Sequence, residues 1–364
     1  MKIQDITRCL ETFAPLSLQE SYDNCGLIVG NPQQEVTKAL LCLDSTEAVV
    51  DEAIATGCNL IIAHHPIVFS GLKKLNGKNY IERTVIKAIK NDIAIYAIHT
   101  NLDNVLQGVN QKIGVKLGLK NLQILAPKKQ LLKKLATYVP ETYAEAVRNA
   151  LFAVGAGNIS NYSKCSFNTL GVGTFEGNEQ TNPTIGEPGK TATVQEHKIE
   201  VVFPAYAENR IIEALKAAHP YEEVAYDIYL LENVWQEVGS GMVGELPEPI
   251  SEENFLHNIK DYLRAKMVRH TPLLGKTVKK VAVCGGSGSF LLPNAIATQA
   301  DFFITADFKY HQFFDAEGKI IIADIGHYES EQFTAEIIQQ LLSEKLPTFA
   351  TLFSKINTNP INYF

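Results

Sequence analysis

The sequence lacks paired cysteines. Its six cysteines, at positions 9, 25, 42, 58, 165 and 284, are scattered, and none of them forms a CxxC spacing. A disulfide framework or a cysteine-based zinc site would need paired or closely spaced thiols, so we expect neither. The pattern favours reduced thiols and a cytoplasmic location.

Long apolar runs and an excess of positive charge are also missing. No apolar segment approaches the roughly 18 residues that span a membrane, and the N-terminal MKIQDITRCL has no apolar core of the signal-peptide kind. We therefore expect no membrane partner. The 33 Lys and Arg are outnumbered by 40 Asp and Glu, for a net charge of −7, which argues against nucleic-acid binding through bulk positive charge.

The chain does contain enough apolar residues for sizeable cores. Of its 364 residues 46% are hydrophobic, including 17 Phe and 14 Tyr. This composition excludes disorder as a description of the whole chain. The length predicts two or three domains.

An internal repeat predicts two copies of one α/β unit, one at each end of the chain. KALLC (38–42) resembles KVAVC (280–284), and ATGCNLIIA (55–63) resembles ATQADFFIT (297–305). Both pairs share one offset of 242 positions (280 minus 38, and 297 minus 55). A third pair, IYAI (95–98) and IADI (322–325), follows in the same order.

Continuous apolar runs predict buried, largely parallel strands. The runs are ALLCL (39–43), LIIA (60–63), IAIYAI (93–98), VAVC (281–284), FFIT (302–305) and KIIIADI (319–325). Such runs are typical of a sheet covered on both faces. Amphipathic patterns at Thr46–Thr56 and Tyr80–Asn91 predict helices between strands, which is the alternation that parallel sheets require.

A different segment, 127–235, separates the first half-unit (1–126) from the second (236–364). It has its own repeat, because YVPETYAEAVRNAL (138–151) resembles VFPAYAENRIIEAL (202–215). Each copy predicts a strand, a proline and a helix, followed by a further strand. Two such copies predict a ferredoxin-like α+β domain inserted between the halves. The polar, Gly- and Pro-rich stretch 177–198 predicts an exposed loop or hairpin within it.

Four histidines stand at the carboxyl ends of predicted buried strands, the edge at which open α/β sheets bind ligands: His64, His65, His99 and His327. Neighbouring side chains of an extended chain point to opposite sides, so His64 and His65 would serve different ions. Hydrogen-bonded core or turn histidines are the alternative interpretation.

Two carboxylates accompany these histidines at metal-ligand spacing. Asp103 follows His99 by four residues, and Glu331 lies at i+4 from His327 on the first turn of an amphipathic helix. Each has an ordinary alternative, since Asp103 could cap a helix and His327 with Glu331 could simply begin one.

Together, His64, His65, Asp103, His327 and Glu331 offer five N/O ligands. Five ligands are too many for one tetrahedral ion and suit two divalent ions that share a carboxylate and a water. Zinc is the first expectation, and iron, manganese, cobalt and nickel also fit N/O ligation. His99 and His311 are candidate proton shuttles near such a centre.

Several weaker positions have two interpretations each. Asp23 and Asn24 could support a ligand or form a turn, and Asp44 could orient a ligand or cap the following helix. The glycine-rich CGGSG (284–288) could hold a phosphate on backbone N–H groups or form a tight turn.

The motifs HHP (64–66), HTNLD (99–103) and GHYESE (326–331), with ESYDNCGLIVG (20–30) and CGGSG, resemble the Nif-three-like family. Its members are known as GTP cyclohydrolase I type 2 homologues. The 127–235 insert resembles the PII/CutA-like insert of the long bacterial members. The resemblance implies dinuclear metal ligands at His64, His65, Asp103, His327 and Glu331, and assembly into a homohexamer.

The leading functional expectation is a metal-dependent hydrolase in which a metal-bridging water is the nucleophile. Its small-molecule substrate is unknown. Two versions of this reaction are open: attack of water on a purine ring carbon of GTP, and phosphoester hydrolysis. A non-enzymatic regulatory or scaffold protein that acts through its PII-like insert is the alternative, and a metal-handling role is a third.

Overall fold

The computed structural model describes residues 1–364 and shows a mixed α/β protein with three sheets. The chain divides into two compact units. One contains Met1–Ala126 together with Glu237–Phe364, and the other contains Pro127–Gln236. None of the helices combines the length and the apolar character needed to cross a bilayer.

The helices and strands, in chain order within each class, have the following bounds. The helices are α1 (Ile3–Phe13), α2 (Glu47–Thr56), α3 (Tyr80–Lys90), α4 (Thr100–Asp103), α5 (Val109–Lys116), α6 (Ala144–Ala153), α7 (Glu208–Ala218), α8 (Glu252–Tyr262), α9 (Leu292–Ala297), α10 (His327–Glu331) and α11 (Thr334–Lys345). The strands are β1 (Gly26–Val29), β2 (Lys38–Cys42), β3 (Leu60–Ala63), β4 (Ala94–Ala97), β5 (Lys120–Lys129), β6 (Leu132–Pro140), β7 (Phe167–Phe175), β8 (Ala192–Pro204), β9 (Tyr226–Leu231), β10 (Val234–Ser251), β11 (Arg269–His270), β12 (Thr277–Ser287), β13 (Phe302–Ala306), β14 (Ile321–Asp324) and β15 (Ala350–Phe353).

Two sheets form the first unit, and the six predicted apolar runs lie at their centres. The five-stranded sheet has the order β1-β4-β3-β2-β15, and the six-stranded sheet has the order β11-β14-β13-β12-β10-β5. Strands β2, β3 and β4 run parallel, as do β12, β13 and β14. Their residues are buried because helices and loops cover both faces, as continuous apolar runs predict.

The strand registers confirm the internal repeat. Ala39 pairs with Leu60 in the first sheet, and the residues 242 positions later, Val281 and Phe302, pair in the second. A shared offset with a shared register shows that the two halves repeat one local architecture.

The two sheets exchange a strand. β5, from the first half of the sequence, is an edge strand of the six-stranded sheet, and β15, from the end of the second half, is an edge strand of the five-stranded sheet. Strand β15 runs parallel to β2 with Phe353 opposite Leu41. The sequence repeat did not reveal this exchange, because it covers only the three central strands of each sheet.

The helices begin where capping residues predict. The Thr46 side chain accepts a hydrogen bond from Val49 N and so caps α2, which ends at Gly57 in the left-handed conformation. Asn79 caps α3 in the same way through Glu82 N. The prediction Thr46–Thr56 includes the N-cap of α2, and the prediction Tyr80–Asn91 includes the C-cap of α3, so each extends one residue beyond the helix.

The second unit is built on a four-stranded antiparallel sheet with the order β7-β8-β6-β9. Helices α6 and α7 pack on one face, with Val147 and Ile211 against Leu135 and Phe203 in one buried cluster. The stretch predicted as a loop or hairpin, 177–198, belongs to a hairpin, because it contains the connection after β7 and the first residues of β8, which begins at Ala192. From there the chain pairs with β7, which supplies the hydrogen bonds that make it a strand.

Candidate metal centre

The predicted ligands lie where parallel strands of both sheets end. His64 and His65 directly follow β3, whereas Asp103 ends the short helix α4 after β4. His327 and Glu331 are the first and last residues of α10, which follows β14. Gly326 has a φ of 92°, a backbone conformation that a side chain would strain, and it turns the chain into α10.

The five predicted ligands come together as two groups that share Glu331. In the first group, His64 Nε2 lies 3.7 Å from Asp103 Oδ1 and 3.8 Å from Glu331 Oε1. In the second, Glu331 Oε2 lies 3.0 Å from His65 Nε2 and 3.1 Å from His327 Nε2. The two oxygens of one carboxylate thus face different sets of donors. His64 and His65 lie in different ones of these two groups, but a third possible group brings both of them together with His99, so their predicted separation stays a prediction.

Each histidine of the centre is held at Nδ1 by an oxygen acceptor. The acceptors are the Ile98 carbonyl for His64 (2.8 Å), Asp44 Oδ1 for His65 (2.8 Å), Asp23 Oδ1 for His99 (2.9 Å) and Asp307 Oδ2 for His327 (2.7 Å). Outer hydrogen bonds of this kind fix the orientation of metal-binding imidazoles and present the other ring nitrogen to the ion.

Two buried atoms of the first group, His64 Nε2 and Asp103 Oδ1, have no hydrogen-bond partner. Because His64 Nδ1 donates to Ile98, the neutral ring presents a lone pair at Nε2. A lone pair therefore faces a carboxylate oxygen across 3.7 Å. Leaving two buried acceptors unsatisfied is costly, and a cation between them satisfies both.

Electrostatics at the second group favour positive charge. Burial opposes protonation of His65, yet hydrogen bonds with Asp44 and Glu331 outweigh it and raise the pKa to about 9. Burial is likewise outweighed at His327, whose hydrogen bonds with Asp307 and Glu331 raise the pKa to about 11. A divalent cation satisfies the same demand for positive charge.

The pKa values of the two carboxyl groups in the centre, Asp103 and Glu331, are shifted in opposite directions. Burial and the charge of Glu331 raise the pKa of Asp103. Burial acts on Glu331 too, but its close contacts with His327, His64 and His65 hold its pKa well below the usual value. Glu331 is therefore the permanent negative charge at the middle of the centre.

The glycine-rich segment after β12 packs directly against Glu331. A Cβ at Gly286 would lie 2.3 Å from Glu331 Oε1, and Gly286 has a φ of 61°. The backbone N–H groups of Gly285 and Gly286 donate to Asn110 Oδ1 and Ser330 Oγ, so they do not face a ligand. This segment makes room for Glu331, and these two N–H groups offer no phosphate cradle.

The structure separates the two candidate proton shuttles. The His99 ring lies 5.1 Å from the ring of His64 and 5.2 Å from that of His65, with Phe69 against its other side at 5.6 Å. His311 instead contacts the rings of Tyr310 and Phe314 and belongs to none of the candidate metal groups.

The positions that had two interpretations each in the sequence make specific contacts in the structure. Asp44 binds His65, while Thr46 caps the helix. Asp23 holds His99, and the Asn24 side chain donates to the Val68 carbonyl at 2.7 Å. Sequence reasoning missed the Ile98 carbonyl and also Thr358, whose hydroxyl donates to Asp44 Oδ2 at 2.6 Å. No local pattern could have revealed a contact over that sequence separation.

Residues 1–360 match the model of the Duf34/NIF3 (NGG1p interacting factor 3) family. The chain belongs to this family. The match spans both halves and the insert, in agreement with the resemblance carried by the HHP, HTNLD and GHYESE motifs.

Relatives of this family member share its full length. A protein of Halalkalibacterium halodurans named GTP cyclohydrolase 1 type 2 homolog is 38% identical over 99% of this chain and 98% of its own. The Bacillus subtilis protein of the same name is also 38% identical, with the same coverage. A crystal structure of a Bacillus cereus protein related to NIF3 is 38% identical and matches with a TM-score of 0.87, over 100% of this chain and 99% of that one.

Proposed function

We propose that this protein holds two divalent metal ions and uses them for hydrolysis. His64, Asp103 and Glu331 would hold one ion, and His65, His327 and Glu331 the other. The observation that carries the proposal is the pair of buried, unpartnered acceptors, His64 Nε2 and Asp103 Oδ1, beside a carboxylate shared with a second donor set. Zinc is the first candidate, and iron, manganese, cobalt or nickel also suit N/O donors.

Divalent ions in such a site supply Lewis-acid polarisation and lower the pKa of water toward neutrality. Among the side chains, His99 is placed to move a proton. Its Nδ1 donates to Asp23, which leaves Nε2 free to accept or release one beside the ligand histidines. We assign proton transfer to His99 rather than His311, because only His99 contacts the ligand rings.

Two reactions fit this arrangement. The name of the relatives, GTP cyclohydrolase 1 type 2 homolog, supports attack on a purine ring carbon. Phosphoester hydrolysis uses the same paired ions.

A non-enzymatic regulatory or scaffold role is the second candidate, and the separate unit Pro127–Gln236 favours it. We propose that this unit is a ferredoxin-like, PII-like insert. Numbered along the unit, its strands have the order 2-3-1-4, with a helix between the first and second and another between the third and fourth. The family resemblance also supports a homohexamer, which the mass in solution tests.

Metal content tests the centre directly. We expect about two zinc ions per chain in the wild type, and one or none in Glu331→Gln, which loses a charged ligand common to both groups. Glu336→Gln is the matched control, since Glu336 lies outside the centre and pairs with Lys112 and Lys116. Elemental analysis of purified protein measures both. Full zinc loading in Glu331→Gln would contradict the proposal that Glu331 is a ligand of both ions.

Hydrolysis tests the role of His99. We expect His99→Ala to keep both ions and to slow hydrolysis by about 10²–10⁴-fold, the usual contribution of a general acid or base. His64→Ala should instead lose metal. The assay screens nucleotides, pterins and phosphoesters with the metal-loaded chain and repeats them after chelation. If no substrate turns over, the regulatory role is favoured, and metal loss in His99→Ala would make His99 a ligand.

A further inference from the structure

The segment 354–364 leaves the five-stranded sheet at the edge where the centre lies. It follows β15, and β15 runs parallel to β2, so both strands end at the same edge. Beyond β2 stands Asp44, the acceptor for His65. Ser354 and Lys355 first attach the segment to α2, because the Ser354 hydroxyl and the Lys355 N–H both donate to Glu52.

Thr358 then fixes the carboxylate that orients His65. Its hydroxyl donates to Asp44 Oδ2 at 2.6 Å, while Asp44 Oδ1 accepts from His65 Nδ1 at 2.8 Å. With both oxygens engaged, the carboxylate cannot rotate freely about its Cβ–Cγ bond. At its Nδ1 atom, the His65 ring therefore has a single acceptor whose orientation is fixed.

Asn359 attaches the same segment to the helix that carries the other two ligands of this group. Its Nδ2 donates to Glu329 Oε1 at 3.0 Å. Glu329 is buried in α10 between His327 and Glu331. The Tyr363 hydroxyl reaches this region too, 3.0 Å from the position of a Cβ on Gly326. Consecutive residues thus hold Asp44, the acceptor for His65, and Glu329, which lies between His327 and Glu331 on α10.

We propose that Thr358 and Asn359 are positioning residues that set the metal affinity of the group formed by His65, His327 and Glu331. The inference rests on the proposed two-ion centre. The first group differs in its support, because His64 is held by the Ile98 carbonyl, whereas His65 is held by Asp44, a carboxylate that this segment supports. The two ions should therefore respond unequally when the segment is altered.

Zinc titration of the full-length chain against a competing chelator tests this difference. We expect Thr358→Val to weaken the binding of one of the two ions by about 10-fold and to leave the other within about threefold. Loss of the group that hydrogen-bonds a metal ligand costs about 10–100-fold, and Thr358→Val leaves that group, Asp44, in place while removing its support, so we expect the lower end of this range. Thr358→Ser should restore wild-type affinity because it keeps the hydroxyl. Thr351→Val, the same change on β15, should have no effect.

Cobalt substitution provides a readout that general destabilisation would not reproduce. We expect Thr358→Val to change the visible absorption of one of two bound cobalt ions, and Thr358→Ser to restore the wild-type spectrum. Unchanged affinity and spectrum in Thr358→Val, or equal weakening of both ions, would overturn the positioning role. A wild-type chain that binds fewer than two ions would overturn the two-ion centre itself, and the inference with it.

Discussion

Gly286 is the residue whose side chain must be absent for Glu331 to occupy the centre. A Cβ there would lie 2.3 Å from Glu331 Oε1. Since Glu331 serves both ligand groups, displacement of this one carboxylate disturbs the whole centre. The close contact gives Gly286 a role that its position in a glycine-rich run could not specify.

We expect Gly286→Ala to lose metal while the protein stays folded. Gly118→Ala is a matched control, because Gly118 also has a positive φ (76°) but has no atom within 4 Å of a built Cβ. Both variants should lose about 1–2 kcal/mol of stability from left-handed backbone strain, whereas only Gly286→Ala should lose zinc. Thermal unfolding and elemental analysis measure the two effects. Normal zinc content in Gly286→Ala would contradict the close-packing argument.

At the scale of elements, the loop between β3 and α3 borders the centre and depends on one carboxylate. It begins at the ligand histidines and carries Phe69, whose ring contacts His99. Glu82, in the first turn of α3, accepts hydrogen bonds from the backbone N–H groups of Lys78 and Asn76. These bonds, that of Lys78 foremost, lower the pKa of Glu82.

We therefore expect the order of this loop to depend on pH. A carboxyl whose pKa is lower in the folded state stabilises that state above its unfolded pKa of about 4.3, and the contribution is lost as the pH falls through the folded value. Glu82→Ala should remove it at neutral pH. Hydrogen exchange, corrected for the intrinsic pH dependence, should then be faster over residues 70–79. Asp51→Asn, on the neighbouring helix α2, is the control and should leave this loop unchanged.

At the scale of the whole molecule, the ligands and the insert occupy different units. All five candidate ligands lie in the unit formed by Met1–Ala126 and Glu237–Phe364. The unit Pro127–Gln236 has a buried cluster of its own, with Leu135, Phe203 and Leu215 among its members. Each unit thus contains what it needs to bury its apolar side chains.

We expect a chain that joins Ala126 to Glu237 through a short flexible linker to fold and to bind the same number of zinc ions as the full-length protein. The insert expressed alone should unfold cooperatively. Circular dichroism and elemental analysis measure these outcomes. A folded but metal-free shortened chain would show that the insert helps to build the centre. Retained metal with lost activity would point to substrate binding by the insert.

The elements that depend on nearby residues could be predicted from the amino-acid pattern alone. Apolar runs predicted the buried strands, and amphipathic patterns predicted the helices α2 and α3. The repeat with its shared offset agrees with equal registers in the two sheets, such as Ala39 with Leu60 and Val281 with Phe302. The sequence also identified His64 and His65 as side chains at a strand end, because adjacent polar residues after LIIA interrupt a buried run. Each of these patterns lies within a short stretch of the chain, so it can be recognised in the sequence.

Contacts between residues far apart in the chain could not be predicted in this way. Glu331 reaches His65 across 266 positions of sequence, and Thr358 reaches Asp44 across 314. The exchange of β5 and β15 between the sheets is also a pairing of segments that are far apart in the chain. Pairing at a sheet edge and side-chain hydrogen bonds depend on how complete sheets pack. The sequence pattern of one segment therefore does not show which other segment it contacts. Local propensity shapes each helix and strand, whereas the acceptor that holds each histidine is fixed only when these elements pack together.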